Sequence, residues 1–513
     1  MTFIRKNTKT ILIILITIVL YFFFAYHLER TQFTGFLFLY VGLFATYFYL
    51  LKSEKDNLKL LTGIAIIFRL VFLFSIPNLS QDFYRFIWDG RMILEGMNPY
   101  LSLPETFIKY QTFPINQASE LYAGMGELNG SNFTNYPPIN QLCFLIAAIF
   151  SYSSILGSVV IMRIIIIFAD IGIVYVGKKM LQKMKLPIHH IFWYALNPFI
   201  IIELTGNLHF EPVMLFFLVW SLYVLINKKW IWAAILFACS ISVKLIPFLF
   251  LPLLYQWFVK GSLDSALDDK EITSSKTSRK DKAMSVRALS RTNSIWNSLS
   301  FLRKQESKQK LLWIPAYTGM TKLVVFYILI FTTIILFFIP FYSSEFIENY
   351  SNSIGLWFKN FEFNASFYYL FREIGYAFRG YNEIAIIGKI IPLLTIVFLG
   401  CITFFRKNNT PKELITAMLF GLSFYYFTTT TMHPWYLATL ILLSVFTKYR
   451  FPIVWSMAII LSYQAYANLP WKENLWFVGL EYTIVYGFLI WELFFKNHQK
   501  KQYSDAPDLH ATL

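Results

Sequence analysis

Segment 80–100, SQDFYRFIWDGRMILEGMNPY, carries the charged side chains with the clearest potential for chemistry in this chain. It contains Asp82, Arg85, Asp89 and Arg91; a carboxylate at a helix mouth can act as general base, and a cation such as Arg85 can hold a phosphate group. The preceding segment, LKLLTGIAIIFRLVFLFSIP, is typical of a membrane helix. Two carboxylates and two guanidinium groups therefore emerge where a helix leaves the lipid, and charge in that position usually has a function.

The composition of the chain is that of a polytopic α-helical membrane protein. Of its 513 residues, 57% are hydrophobic and only 14% are charged, whereas soluble domains average about 25% charged residues. The mean hydropathy is +0.52, and apolar runs of about 20 residues recur along the chain, each long enough to cross a bilayer. The runs are continuous rather than alternating, which argues against a membrane β-barrel.

The charges and cysteines exclude several other classes of protein. The net charge of +16 does not indicate nucleic-acid binding, because Lys and Arg lie in short loops between apolar runs, as the positive-inside rule requires. Cys143, Cys239 and Cys401 lie in apolar segments and predict neither a disulfide framework nor a CxxC metal site. Phosphate-binding loops, dinucleotide fingerprints and HExxH motifs are missing from the sequence, so nucleotide hydrolysis and zinc proteolysis have no support.

The loop charges predict the orientation of the spans. The basic N-terminus stays in the cytoplasm, KSEKDNLK returns there after the second span, and the third span leads outward, so loop 78–155 is predicted to be extracytoplasmic. Within this loop, NYPPINQLCFLIAAIFSY is short for a span and is predicted to be a re-entrant or membrane-lying helix. The predicted spans, about 11–14 in number, lie at about 11–26, 35–51, 58–77, 157–177, 189–206, 209–226, 230–243, 245–258, 323–341, 384–404, 412–430, 434–447, 451–467 and 474–494.

Four parts of the chain are predicted. Residues 1–259 form a transmembrane module that includes the first outer loop, and residues 323–495 form further transmembrane helices with a second outer loop, 342–382, containing an amphipathic interface helix. Residues 260–322 carry thirteen Lys and Arg against six Asp and Glu without a core-forming pattern, which predicts a disordered basic cytoplasmic insert. Residues 496–513 are predicted to be a cytoplasmic tail.

Further ionisable groups gather at the predicted outer level of the membrane. Glu203, His209 and Glu211 lie near one outer turn, Lys244 at the next, and His433 at a later one. A carboxylate in such a set can act as general base on an acceptor hydroxyl, and the cations can stabilise a departing phosphate. The aromatic side chains available to stack on sugar rings are Tyr84, Trp88, Tyr100, Trp435 and Tyr436.

Structural interpretations of these residues stay open. Asp82 can be a helix cap, and Arg85 and Arg91 can extend to lipid headgroups. Arg163 and Asp170 lie seven residues apart in one span, and they can form an ion pair that packs helices, or Arg163 can hold a phosphate.

The competing functional class is a transporter or flippase for a lipid-linked saccharide. Such a protein would need a site at the membrane midplane and internal repeat symmetry. The charges lie at the outer mouth instead, and the sequence has no evident repeat. An enzyme is therefore the favoured prediction.

Five motifs occur in a characteristic order between residues 80 and 436: DFYRFIWDGRMILEGMNPY, NYPPINQL, NPFIIIELTGNLHFEP, SVKLIP and MHPWY. In this order they resemble the GT-C superfamily of integral-membrane glycosyltransferases, which use polyprenyl-phosphate sugars. The likeness is closest to the bacterial mannosyltransferase-like branch, and more distant to the first mannosyltransferase of GPI-anchor synthesis. It implies a GT-C fold with membrane-lying helices in the first large outer loop, and inverting transfer of a hexose, mannose by preference, to an acceptor hydroxyl.

The resemblance also implies roles for individual residues. The catalytic residues would be Asp82, Asp89 and Glu211. The substrate-binding residues would be Arg85, Arg91, Tyr100, Tyr136, His209, Lys244, His433 and Trp435. Asp82 would be the general base, and Lys244 and His433 would face the lipid phosphate.

The expected partners follow from the same resemblance. They are the lipid bilayer, a polyprenyl-phosphate sugar as donor, and a glycan, lipid or protein as acceptor, with no nucleic acid. No further cofactor is implied, although Asp82, Asp89 and Glu211 are residue types that can bind a divalent metal ion. The expected location is the inner (plasma) membrane of the cell, with the active site on the extracytoplasmic side.

Overall fold

The chain folds into helices throughout the part that the computed structural model describes. The described residues are 2–261, 318–359, 361–468 and 471–496. No strand occurs among them; the backbone forms one isolated bridge, between Phe363 and Thr431. The prediction of an all-α polytopic membrane protein is confirmed. The predicted insert 260–322 and tail 496–513 lie almost entirely outside the described residues.

The N-terminal part contains the first outer loop and its surrounding helices. In chain order its helices are α1 (Thr2–Tyr26), α2 (Phe33–Ser53), α3 (Leu58–Leu70), α4 (Asp82–Leu94), α5 (Pro104–Lys109), α6 (Ala118–Gly130), α7 (Pro138–Phe150), α8 (Ile155–Lys183), α9 (Phe192–Ala195), α10 (Pro198–Ile200), α11 (Glu211–Ile226) and α12 (Trp230–Val243). A π-helical turn, Ile201–Gly206, follows α10, and 3₁₀ turns at Ile246–Phe250 and Pro252–Leu254 follow α12.

The C-terminal part adds a second set of helices. They are α13 (Thr318–Phe341), α14 (Ser344–Lys359), α15 (Phe367–Arg379), α16 (Ile384–Phe405), α17 (Pro411–Thr428), α18 (Leu437–Val445), α19 (Phe451–Ala458) and α20 (Leu475–Ile490). The 3₁₀ turn Pro434–Tyr436 precedes α18 and carries part of the predicted site.

Fewer helices are long and continuous than the sequence predicted. Six in the described ranges are long and apolar enough to cross a membrane: Thr8–Tyr26, Phe33–Ser53, Ile155–Lys183, Thr318–Phe341, Ile384–Phe405 and Leu475–Phe495. A seventh candidate, Pro198–Gly206 with Glu211–Ile226, is bent by 116°. Several predicted spans are instead short apolar helices or 3₁₀ turns. Pro198 lies inside the predicted span 189–206, and Pro247 and Pro252 lie inside 245–258. Each removes a backbone donor from a continuous helix, which apolar composition does not report.

Helix α4 lies in close backbone contact with α7. A Cβ atom at Gly90 would come within 2.2 Å of the carbonyl oxygen of Phe144, so the approach requires glycine. Phe86 of α4 stacks on the Phe144 ring, with centroids 4.6 Å apart and 7° between the planes. This packing fixes the direction in which the N-terminus of α4 points.

Helix α15 corresponds to the amphipathic helix predicted in the second outer loop. It exposes Leu370, Phe371, Ile374 and Phe378, the last of them to 85%. Tyr368 and Tyr369 lie on its buried side. Such a division of side chains is typical of a helix at a membrane interface.

Candidate active site

The N-terminus of α4 presents the carboxylate of Asp82 to a cavity. Asp82 is the first residue of the helix, where the helix dipole favours negative charge. Its Oδ1 accepts a hydrogen bond from the side-chain amide of Asn129 at 3.2 Å. Its Oδ2 accepts none from the residues that the structure describes. The N-cap residue is Gln81 rather than Asp82, so the capping role considered for Asp82 is not observed, and one of its oxygens is left for a ligand.

The second carboxylate of α4, that of Asp89, is fully paired inside the protein. Asp89 is 0% exposed. Its Oδ1 accepts from Arg85 Nε at 2.8 Å, and its Oδ2 accepts from Gln141 Nε2 at 3.0 Å. Arg85 also donates to the carbonyls of Asn129 and Asn132, at 2.5 and 2.8 Å. Asp89 and Arg85 therefore tie α4 to α7 and to the end of α6.

Two residues predicted to bind substrate, Arg91 and Tyr100, make contacts within the protein instead. Both are 0% exposed. Arg91 donates to the carbonyl of Asn116 at 2.7 Å and to the side chain of Gln117 at 3.2 Å. Tyr100 donates to the carbonyl of Tyr136 at 2.5 Å. Neither lines the cavity at the N-terminus of α4, and both hold the folded outer loop together.

The cavity at the N-terminus of α4 has a volume of about 230 Å³. It collects residues from the first outer loop, the turn before α11, the end of α12 and the turn before α18. Six residues predicted as catalytic or substrate-binding line it: Asp82, Tyr136, His209, Lys244, His433 and Trp435. Tertiary folding thus brings together side chains that are more than 300 positions apart in the sequence.

Lys244 reaches the cavity as one half of an ion pair with Glu211. Glu211, at the start of α11, is 0% exposed, whereas the Lys244 side chain remains 16% exposed. Lys244 follows α12 in extended backbone, which turns its side chain away from the helix. Because a buried carboxylate needs a partner, Glu211 stands behind Lys244 and offsets its charge. Lys244 therefore contributes hydrogen-bond donors to the cavity rather than a net positive charge.

The indole ring of Trp435 stacks with the imidazoles of both His209 and His433. The centroid distances are 3.9 and 4.5 Å, with 17° and 5° between the planes. His433 also stacks with Phe363 at 5.6 Å, and the bridge between Phe363 and Thr431 holds that ring in place. We call His209, Trp435 and His433 the aromatic stack. It gives the cavity a flat wall of the kind that packs against sugar rings.

Burial shifts the pKa values of ionisable groups at the cavity, among them those of Asp82 and His433. It raises the pKa of the Asp82 carboxyl above its usual value, although the hydrogen bond from Asn129 and the charges of Lys244 and Arg30 act in the opposite direction. It lowers the pKa of His433 to about 3, assisted by the positive charge of Lys244. His433 is therefore neutral at neutral pH and adds no cation to the cavity.

Arg163 and Asp170, both in α8, do not pair with each other. Asp170 binds Arg69 of α3 at 2.7 Å. Arg163 is 0% exposed and donates only to backbone carbonyls, so it is not directed at a phosphate. Its acceptors are the carbonyls of Leu73, Ser75, Thr205 and Gly206. Two of these belong to the π-helical turn Ile201–Gly206, and Arg163 supports that turn.

Residues 16–260 match the MptA_B family, described as alpha-(1->6)-mannopyranosyltransferase, N-terminal domain. The predicted mannosyltransferase resemblance is confirmed. The match supports a mannosyl transfer function and indicates a membrane glycosyltransferase. It spans the cavity residues from Asp82 to Lys244, whereas His433 and Trp435 lie beyond it. No curated protein matches the chain.

Sequence reasoning missed two residues that act on the Asp82 carboxylate. Asn129 contacts Asp82 directly, but NGSN in the sequence indicates only a turn. Arg30 lies between α1 and α2, with its guanidinium carbon 3.4 Å from the ring centroid of Tyr466. The side chain of Asn78 donates to carbonyls at the end of α1, which brings this turn beside the segment that leads to α4. Nothing local in HLERTQ distinguishes Arg30 from a surface arginine.

The three carboxylates considered as metal ligands are engaged differently. Asp89 accepts from two side chains and has both oxygens bonded. Glu211 pairs with Lys244 through Oε1, and its Oε2 is buried without a donor from the described residues. Asp82 accepts from Asn129 through Oδ1. Within the described ranges, no three His, Cys, Asp or Glu side chains are grouped as metal ligands. The donor set present in this part of the chain therefore does not fit a metal centre built from these three residues.

Proposed function

We propose that this protein transfers a hexosyl group, mannose by preference, from a polyprenyl-phosphate donor to an acceptor hydroxyl, with inversion, on the extracytoplasmic side of the plasma membrane. One observation carries the proposal: Asp82 lines a cavity that also holds Lys244 and the aromatic stack, and one of its oxygens receives no hydrogen bond from the part of the chain that the structure describes. The match of residues 16–260 to a mannosyltransferase domain supports mannose as the sugar.

Asp82 acts as the general base in this mechanism. Its free oxygen takes the proton of the acceptor hydroxyl while the hydroxyl oxygen attacks the anomeric carbon. The bond from that carbon to the phosphate oxygen breaks on the opposite face, and the electron pair leaves with the lipid phosphate. Attack opposite to the leaving group inverts the anomeric configuration. The raised pKa of Asp82 increases its basicity as long as the group is ionised at the working pH.

Lys244 and the aromatic stack act on the two halves of the donor. The ammonium of Lys244 donates hydrogen bonds to phosphate oxygens as negative charge develops on them. Because Glu211 already offsets the charge of Lys244, Lys244 orients the phosphate through hydrogen bonds more than it attracts the phosphate by charge. The stack and Tyr136 pack against the apolar face of the sugar and hold the anomeric carbon near Asp82.

The arrangement of helix α8 supports an extracytoplasmic site. The helix has 29 residues, so it is about 43 Å long at 1.5 Å per residue. Its first turn follows directly on the loop that carries Asp82, whereas Lys178, Lys179 and Lys183 occupy its last turns. Lysines flank the cytoplasmic ends of spans, which leaves the cavity at the other end.

The test is transfer by the purified full-length protein in liposomes. Labelled polyprenyl-phosphate mannose, polyprenyl-phosphate glucose and a nucleotide-activated mannose would each be supplied with mannoside acceptors. We expect a glycosidic product from polyprenyl-phosphate mannose, with the anomeric configuration opposite to that of the donor. Product formation only from the nucleotide sugar would refute the proposed donor class.

A transport assay on the same liposomes separates the enzyme from a transporter. Movement of labelled lipid-linked sugar between leaflets, without a new glycosidic bond, would favour the transporter and remove the role of Asp82 as base. We expect bond formation without such movement.

A further inference from the structure

Behind the aromatic stack, two buried polar atoms face each other, and neither has a hydrogen-bond partner among the described residues. They are Oε2 of Glu203 and Nε2 of His209, 3.8 Å apart. Both residues are only 2% exposed. Buried polar atoms left unpaired are costly, and an approach of about 1 Å would give these two an ordinary N–H···O distance.

Each partner is oriented by a separate contact. The other oxygen of Glu203, Oε1, accepts a hydrogen bond from the hydroxyl of Tyr463. Glu203 sits in the π-helical turn Ile201–Gly206, whose carbonyls bind Arg163, and π turns often mark functional sites. The ring of His209 is held parallel to Trp435 at 3.9 Å. The carboxylate therefore faces a specific nitrogen of a ring that cannot turn freely.

The protonation of His209 follows from this geometry. With Glu203 ionised, its Oε2 only accepts hydrogen bonds, so the His209 nitrogen that faces it carries a proton. A second proton is disfavoured, because burial and the positive charge of Lys244 lower the pKa of His209 well below its usual value. The ring is then a neutral imidazole with its one proton on Nε2. The remaining nitrogen, Nδ1, is not among the buried atoms without a partner, and His209 lines the cavity.

We propose that Glu203 is a positioning residue that keeps the proton of His209 on Nε2, so that Nδ1 accepts a hydrogen bond from a sugar hydroxyl in the cavity. The identity of the ligand rests on the proposed function; the tautomer does not.

The assignment divides the cavity between the two parts of the donor. A nitrogen lone pair repels phosphate oxygens and attracts hydroxyl groups, so the side near His209 receives the sugar. Lys244, whose ammonium group donates, receives the phosphate. The tautomer held by Glu203 thus sets the direction in which the donor enters.

The tautomer can be measured without substrate. The full-length protein with ring-¹⁵N-labelled histidine, reconstituted in lipid, would be examined by solid-state NMR at neutral pH. The chain has seven histidines, and the signal of His209 is the one lost in His209→Asn. We expect a protonated Nε2 and an unprotonated Nδ1. A protonated Nδ1, or an imidazolium ring, would overturn the proposal even if sugar transfer were demonstrated.

Variants test whether Glu203 is the group responsible. In Glu203→Leu we expect the His209 signal to lose its single tautomer, and Tyr463→Phe, which removes one hydroxyl, to give a weaker change in the same direction. A retained Nε2–H tautomer in both variants would show that other contacts hold it, and would refute the role of Glu203. Tyr463→Phe leaves the carboxylate in place, so it also serves where Glu203→Leu does not fold.

A double-mutant cycle on activity distinguishes positioning from packing. We expect Glu203→Leu to lower sugar transfer about tenfold, the worth of one hydrogen bond. In a His209→Asn background the same change should cost nothing further, because asparagine has no tautomer to control. An equal loss in both backgrounds would identify Glu203 as merely structural.

Glu492 provides the matched control for these variants. It is another buried glutamate, 1% exposed, and it accepts from the backbone N–H groups of Arg450 and Phe451. It does not line the cavity. Glu492→Leu is the same type of substitution at a glutamate outside the cavity, and it should leave the His209 signal unchanged. If the chain transferred no sugar at all, the NMR result would still decide the tautomer, so failure of the proposed function and failure of this inference are distinguishable.

Discussion

Helix α4 carries two aspartates, Asp82 and Asp89, whose surroundings differ. They are seven residues apart, close to two helical turns, and so lie on nearly the same face. Asp82, in the first turn, is half-buried, and within the described ranges one of its oxygens has no donor. Asp89, two turns later, is fully buried with both oxygens bonded, to Arg85 and Gln141.

The difference between the two aspartates arises from what covers each turn of the helix. Helix α7 packs closely on the turn that carries Asp89 and supplies Gln141, and the end of α6 accepts hydrogen bonds from Arg85. The carboxylate of Asp82 accepts the amide of Asn129, and Asp82 lines the cavity. A carboxylate whose lone pairs are all occupied holds helices together, whereas one with an open lone pair can take a proton. The same residue type can therefore serve structure or chemistry on one helix.

The largest expected effect is that of Asp82→Asn. The substitution keeps the size of the side chain and the contact with Asn129 but removes the base, so we expect transfer to fall by about 10²- to 10⁴-fold. Thermal unfolding should be close to that of the unchanged protein. Asp56→Asn, the same change at an exposed aspartate, should leave both quantities unaltered. Retained turnover in Asp82→Asn would remove Asp82 from the chemistry.

Asp89→Ala should show the opposite balance between activity and stability. It leaves the guanidinium of Arg85 buried without its anion, a change that typically costs about 3–5 kcal/mol. We expect a large fall in the thermal unfolding midpoint in detergent, while the transfer rate of the protein that remains folded falls far less than in Asp82→Asn. A loss of sugar transfer with unchanged stability would contradict the structural role of Asp89, because Asp89 would then take part in the reaction.

Asn129→Ala tests the hydrogen bond that Oδ1 of Asp82 receives from a side-chain amide. Its loss removes an interaction that orients the base and lowers its pKa, so we expect kcat to fall about tenfold. Asn132→Ala is the matched control, since the side chain of Asn132 binds Leu128 and Ser131 instead. Equal effects of the two substitutions would indicate a general disturbance of the loop.

The smallest expected effect is a shift in pH dependence in Arg30→Gln. Asp82 must be ionised to act as base, so activity falls as the pH drops through its pKa. The positive charge of Arg30 favours the ionised form and lowers that pKa. Its removal should raise the pKa and move the acid limb of kcat/KM to higher pH. Arg379→Gln, at an exposed arginine paired with Glu383, should leave the profile in place.

Much of the site could be predicted, because its residues lie in short motifs at the ends of apolar segments. Asp82, His209, Lys244, His433 and Trp435 were predicted from those motifs, and the structure places all five around one cavity. Their catalytic and binding roles stay predictions. The likeness to mannosyltransferases was predicted from the same residues and is confirmed by the family match.

The partners of the charged residues could not be predicted in the same way. Asp170 was considered as a partner of Arg163 because both lie in one helix, yet it binds Arg69 of another helix. Arg91 and Tyr100 belong to the same motif as Asp82 but turn into the protein. A local spacing specifies a helical face and leaves open which neighbouring helix covers that face.

The sequence by itself determined the class of the protein, because long apolar runs have one stable solution in lipid: helices that satisfy their own backbone hydrogen bonds. It also determined which side chains gather at one end of the helices, since charge is excluded from the apolar runs. Only the tertiary structure decided which of those side chains have a free lone pair or donor. Those free groups depend on how segments far apart in the chain pack, at a scale of about 1 Å. Gly90 is an example, because the absence of a side chain there lets α7 reach Asp89, whereas Asp82 still faces the cavity.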